Sequence, residues 1–263
     1  MEFFDNHAHL DDEKFDEDRE EIIQKIKESG VTKLISAGYS LEGSRKGLKL
    51  ANNYEFIYTT SGISPNDIPQ TEAELWIMLE EIKKMAKENH KVLAIGEIGL
   101  DYYWNKENKE LQKKAFIEQI KIANELNFPI VIHTREAIMD TIEILKHNEV
   151  INKGVFHCCP LNRELVKEAL KFGFYISFAG PVTFKNSKNA EEIVNMVPEN
   201  RMLIETDSPY LSPEPLRGTR NDSRNIKYIA QKIADFRGVC LEKVAKITYE
   251  NAERIFRLSR SIG

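Results

Sequence analysis

Six residues of this chain have the types and placement to do chemistry together: His7, His9, Glu97, His133, His157 and Asp207. Each sits at or just past the end of a short apolar run that reads as a β-strand, and four of the six histidines of the chain are among them. Imidazole and carboxylate are donors that share a divalent cation at about 2.0–2.2 Å. A cation held this way activates water, so the pattern points to a metal-dependent hydrolase.

His7 and His9 are one residue apart on an extended segment, which turns both side chains to the same face. Glu97 ends the apolar run Val92–Gly96 and lies between glycines, where it has no helix-cap or surface role. A buried carboxylate is costly unless a cation or an arginine neutralises it, and a cation is expected here. His133 closes Pro129–Ile132, His157 closes Gly154–Phe156, and Asp207 follows Met202–Thr206. Asp207 also precedes Ser208-Pro209, so a turn or cap role competes with ligation. His90 and His147 lie in charged helix-end sequence and read as solvated. Cys158 and Cys159 lack a second pair at ligand spacing and read as structural.

Eight strands are expected to position these groups: 3–7, 33–37, 56–61, 92–97, 130–133, 154–157, 175–178 and 202–205. Most are continuous apolar runs, as in parallel strands buried on both faces. Amphipathic segments lie between them, with helices expected over 15–29, 111–126, 163–171, 226–236 and 241–256 and a stop at Gly30. Strands alternating with helices over 263 residues predict an α/β fold, a (β/α)8 TIM barrel, as a single domain spanning 1–263. An open doubly wound sheet would place a glycine-rich turn after the first strand, and His7-Ala8-His9-Leu10 is not one. In a barrel the strand C-termini converge on one face, so residues far apart in sequence can share a cavity.

Composition sets outer bounds. With 41% apolar and 30% charged residues, the chain reads as soluble and globular, with no apolar stretch long enough for a membrane span. No signal peptide is visible, and three cysteines do not make a disulfide framework, so a cytoplasmic setting is expected. A net charge of −5 argues against broad affinity for a polyphosphate backbone, though a metal site supplies local positive charge. Residues 1–28 hold eleven acidic and four basic side chains, and 217–260 hold eleven basic and five acidic. Either the basic stretch meets nucleic acid, or the two ends of the chain complement each other. Arg217, Arg220 and Arg224, with Lys185 and Lys188, form either a phosphate-facing rim or a solvated loop. Tyr102, Tyr103 and Trp104 either stack on bases or seal the core.

These residues resemble the TatD family of metal-dependent deoxyribonucleases, within the amidohydrolase-like barrels, across nearly the whole chain. The resemblance rests on Asp5–Leu10, Ile95–Tyr103, Pro129–Arg135, Val155–Cys158, Ile204–Leu211 and Arg217-Gly218 with Asn221. It implies two divalent ions (Mg²⁺, Mn²⁺ or Zn²⁺), one held by His7, His9 and Asp207, the other by His133 and His157, with Glu97 bridging. It further implies Glu97 and Asp207 as catalytic groups and DNA or another phosphodiester as substrate. Arg217, Asn221 and Arg135 become expected substrate contacts, with no obligate protein partner and no membrane. Two departures from the family pattern fall on loops of the catalytic face. Ser64-Pro65-Asn66 replaces His-Pro-His, and Cys159-Pro160-Leu161 replaces Phe-Ser-Gly. Both weaken the deoxyribonuclease expectation without touching the expected ligands. The alternative is hydrolysis of an amide, lactone or aminoacyl ester by the same water. A scaffold that uses metal only structurally is the non-enzymatic rival.

Overall fold

The computed structural model describes residues 1–258, so Ser259 and Arg260, the end of the basic C-terminal stretch, lie outside the described residues. The strands are β1 (Phe3–Ala8), β2 (Val31–Ser36), β3 (Ile57–Ser61), β4 (Val92–Asp101), β5 (Ile130–Arg135), β6 (Gly154–Phe156), β7 (Tyr175–Phe178) and β8 (Met202–Ile204). They follow one another in the sheet in chain order, β1 through β8, the strand order of a (β/α)8 barrel. The intervening helices are α1 (Arg19–Glu28), α2 (Leu41–Asn53), α3 (Glu72–Glu88), α4 (Lys109–Leu126), α5 (Ile138–His147), α6 (Arg163–Lys171) and α7 (Ala190–Met196). Then α8 (Ile226–Arg237) and α9 (Leu241–Ile255) close the described chain. The residues fall into two compact units: 1–35 with 157–170 and 175 onward, and 36–156 with 171–174.

In the first unit, Phe4 on β1 packs edge-on to Tyr249 of α9 with ring centroids 6.0 Å apart. The apolar stripe of α9 (Val244, Ala245, Ala252, Ile255) is buried there, which is why the 241–256 periodicity is helical. Helix α1 begins later than its periodicity suggests. Phe15, fully buried, anchors a separate short 3₁₀ turn. Arg19 then opens the helix and donates to the carbonyls of Leu10 and Asp12 at 2.7 and 2.9 Å, tying down the loop after β1. Gly30 ends the segment at φ +95°, a conformation glycine adopts without a Cβ clash.

In the second unit, β3, β4, β5 and β6 pair in parallel. Strand β4 differs from its expected form. It does not stop at Glu97 but runs on to Asp101. The pairing moves from Ile95↔Ile130 to Ile98↔Ile132, so β4 holds one extra residue in the stretch containing Glu97. Such a bulge re-aims a side chain locally. Likewise β5 does not end at His133 but continues through Arg135. Gly99, at φ +139°, faces the His133 carbonyl, which would lie 2.0 Å from any Cβ there. Only glycine allows β4 and β5 to approach so closely at the level of His133.

Candidate metal centre

Within the first unit, β1 and β8 present three donors together. The Asp207 amide donates to the His7 carbonyl at 2.9 Å, and the His9 amide donates to the Ser208 carbonyl at 2.7 Å. These backbone bonds carry the β8–loop junction alongside β1, and Asp207 turns there with φ +54°. As a result His7 Nε2 lies 3.8 Å and His9 Nε2 3.3 Å from the same carboxylate oxygen of Asp207. One ligand atom from each residue falls within 4.8 Å of the other two. His157 stacks on His7 with centroids 3.9 Å apart and planes at 16°.

This donor set fits a divalent cation. Two imidazoles and a carboxylate, buried except for a narrow exposed edge of His9 and Asp207, are the first-row metal ligands of choice. Burial raises the proton affinity of Asp207, but the bond from His9 and the nearby histidines outweigh it and hold the pKa below the ordinary carboxylate value. The carboxylate is thus held in its ligating form.

Behind the trio stand carboxylates for which the sequence reading had no role. Glu205, fully buried, accepts from the Cys158 amide at 2.7 Å and sits 3.1 Å from His157 Nδ1. That contact fixes the ring and makes Nε2 the nitrogen through which His157 would ligate. Asp5 accepts from the Thr206 amide at 2.9 Å and hydroxyl at 2.5 Å, fastening β1 to the end of β8. Burial raises the Asp5 pKa to about 7. Both were visible as acids inside apolar runs, the signal that singled out Glu97; their neighbours in sequence simply had stronger claims. Cys159 is buried, and burial pushes its thiol pKa up, as a structural cysteine requires. Cys158 is half-buried.

In the second unit the ratio of donors is reversed. His133 lies between two carboxylates, with Nδ1 3.2 Å from Glu97 and Nε2 3.0 Å from Asp101. Burial lowers the His133 pKa, yet the bonds to Asp101 and Glu97 override it and raise the value to about 10. A pocket that holds a proton this firmly between two acids offers the same field to a metal cation. Asp101, absent from the expected site, is its hub. It is fully buried, and one of its oxygens takes the Tyr103 and Trp104 amides at 2.9 and 3.0 Å. The other oxygen takes His133 and, at 3.3 Å, the Asn66 amide. Burial works against the charge on Asp101, but these bonds bring its pKa down to about 2.

The expected substrate contacts separate. Arg217 is exposed and stacks its guanidinium 3.7 Å over the Phe184 ring. Arg135 is exposed at the end of β5, its guanidinium 4.0 Å over the Tyr103 ring. Asn221 is fully buried, and its amide donates to the carbonyls of Thr206 and Tyr210 at 2.9 and 2.7 Å. That amide is occupied in holding the loop that carries Asp207. Of the wider rim, Arg220 grips Asp18 through two bonds, and Arg224 grips Asp222. The acidic start and basic end of the chain therefore complement each other at Asp18 and Arg220. Ser64 is buried and donates to Asp67, whereas Asn66 is exposed.

The family model described as TatD related DNase matches residues 4–257. A Bacillus subtilis protein named "uncharacterized metal-dependent hydrolase YabD" is 43% identical over 260 residues, covering 97% of this chain and 99% of that protein. The Escherichia fergusonii "3'-5' ssDNA/RNA exonuclease TatD" is 33% identical over 262 residues, covering 97% and 99%. Among solved structures, the TatD homologue YjjV of Escherichia coli superposes with a TM-score of 0.91 at 24% identity, covering 98% of each chain, and shares the fold. With the family model and these relatives spanning nearly all of it, the chain belongs to the TatD family and is a metal-dependent hydrolase built as a (β/α)8 barrel.

Proposed function

We propose that this chain hydrolyses phosphodiester bonds of DNA, removing nucleotides from the ends of strands. The observation that carries the reading is the His7–His9–Asp207 trio, in a chain of a family that contains a named exonuclease. In this reading His7, His9 and Asp207 would hold one divalent cation (Mg²⁺, Mn²⁺ or Zn²⁺) and His133 and His157 would hold a second, with Glu97 serving both. Bound there, the cations would lower the pKa of a water and offset the charge of the phosphate. Asp207 orients that water with one carboxylate oxygen and takes its proton as general base. Asp101 and Glu205 keep the His133 and His157 rings in the tautomers that ligate. Arg217 and Arg135, both exposed, meet phosphate by charge-assisted bonds, while Asn221 acts through the loop it holds.

The test is purified protein loaded with each metal in turn, offered end-labelled single- and double-stranded DNA beside an amide, a lactone and an aminoacyl ester. Stepwise shortening of the DNA is expected. Turnover of an acyl substrate with intact DNA would overturn the reading in favour of acyl hydrolysis.

A further inference from the structure

Resting on that nuclease reading, we infer that Tyr103, Trp104 and Arg135 form a stacking platform for an unpaired nucleobase, fixed in place by the same carboxylate that holds His133. Trp104 is 68% exposed and Tyr103 44%, whereas the adjacent Tyr102 is buried with its hydroxyl donating to Asp140 at 2.6 Å. Three successive positions thus divide: one ring seals the core, and two are turned out to solvent. The two exposed rings meet edge to face at 4.7 Å, and the Arg135 guanidinium lies 4.0 Å from the Tyr103 centroid and 5.5 Å from that of Trp104. Large aromatic faces left in water are unfavourable unless something covers them. The open Trp104 indole, next to the guanidinium that caps one face of Tyr103, is a surface on which any base stacks, independent of its sequence.

The placement of the platform is what ties it to catalysis. Asp101 Oδ1 accepts the Tyr103 and Trp104 amides, and Asp101 Oδ2 faces His133 Nε2 at 3.0 Å. Gln112 clamps the Asp101 backbone from both sides, accepting from its amide at 2.9 Å and donating to its carbonyl at 3.1 Å. One rigid residue therefore sets both the base platform and a candidate ligand. A base stacked on Trp104 would hold its strand at a constant offset from His133. Pairing in a duplex hides the base faces, so the platform selects single strands or frayed ends.

The test uses oligodeoxyadenylate as probe and protein stripped of metal, so that binding is read without turnover. In a Trp76→Phe background Trp104 is the sole indole of the chain, and the oligonucleotide should quench its emission. Trp104→Ala should weaken binding by roughly 5- to 150-fold, the range for one base–aromatic stack, and Trp104→Phe should recover most of the loss. Probes lacking a single base at successive positions should show one position that costs the wild type as much and costs Trp104→Ala nothing further. Equal binding by wild type and Trp104→Ala, or no quenching, overturns the platform. Failure of the nuclease reading looks different: quenching persists while no phosphodiester is cleaved with Mg²⁺, Mn²⁺ or Zn²⁺.

Discussion

The two clusters of ionisable groups are built in opposite proportions. Around Asp207, imidazoles surround one carboxylate: His9 and His7 reach it, and His157 stacks behind His7. Around His133, carboxylates surround one imidazole, Glu97 on Nδ1 and Asp101 on Nε2. The first cluster is dominated by imidazole nitrogen, the second by carboxylate oxygen and negative charge. Their supports differ as well. Glu205 holds His157 by Nδ1, while Asp101 holds His133 by Nε2, so the two histidines would ligate through different nitrogens. Ligand identity alone does not describe such a centre; the buried acid behind each ring decides which atom it offers.

The largest effect tests the carboxylate of the first cluster. Asp207→Asn keeps size and one ligating oxygen but cannot accept a proton, so kcat under metal saturation should fall by about 10²–10⁴-fold. A loss below tenfold would remove Asp207 from general-base duty. In the second cluster, Glu97→Ala should lower the metal content of purified protein and abolish turnover, because the carboxylate serves both cations in the proposed arrangement. Elemental analysis showing full metal content would break that assignment. The comparison sharpens with Glu205→Gln and Asp101→Asn measured side by side by calorimetric metal titration. Each should cost roughly 10–100-fold in metal affinity, and ¹⁵N chemical shifts should report altered tautomers at His157 in the first and at His133 in the second. Shifts at neither ring would leave both acids merely structural.

The smallest effect contrasts surface ion pairs. The Arg220 bond holds the Asp18 pKa below its ordinary 3.8. In the second unit, bonds from Tyr102 and then Lys113 do the same for Asp140. A carboxylate with a depressed folded pKa stabilises above about its unfolded value and loses that contribution as pH falls through the folded one. Arg220→Ala should therefore lower stability at neutral pH by on the order of 0.5 kcal/mol, since the pair is solvent-screened. Stabilities of wild type and variant should converge as pH falls below 3.8 and through the depressed folded value; a gap that persists at the acid end would mean that Arg220 acts instead through its guanidinium, which lies 4.9 Å over the Phe15 ring.

The choice of substrate class through the loop after β3 narrows on the structure. Ser64-Pro65-Asn66 stands where the family pattern has His-Pro-His, and a test of substrate class by substituting histidine needs a position that accommodates the ring. Ser64 is buried with its hydroxyl donating to Asp67, so a larger ring there would overpack the core. Asn66 is exposed and touches Asp101, so Asn66→His alone is the usable variant.

Strand positions were legible because apolar runs are local signals, and the candidate donors stood out as histidines and acids at the ends of those runs. All eight strands were expected within a few residues, and α6 at its observed bounds. The extension of β4 past Glu97 was not legible, since the carboxylate, with Gly96 and Gly99 about it, closes the apolar run. Only the close approach to Val131 and to the His133 carbonyl shows why they are glycines inside a strand. Asp101, Glu205 and Asp5 were in plain view as letters but without roles, because an acid acquires a role from the group it faces across the fold. Asn221, an expected substrate contact through the family resemblance, is buried with its side-chain amide on the Thr206 and Tyr210 carbonyls, a placement that only the fold reveals. The sequence by itself determined the order of strands and the donor types, both properties of local pattern and spacing, and its motifs carried the family resemblance. Tertiary structure decided which carboxylates meet His133 and His157, and at which ring nitrogens, and which aromatic ring meets water. Those are distances between residues far apart in the chain, and only packing sets them.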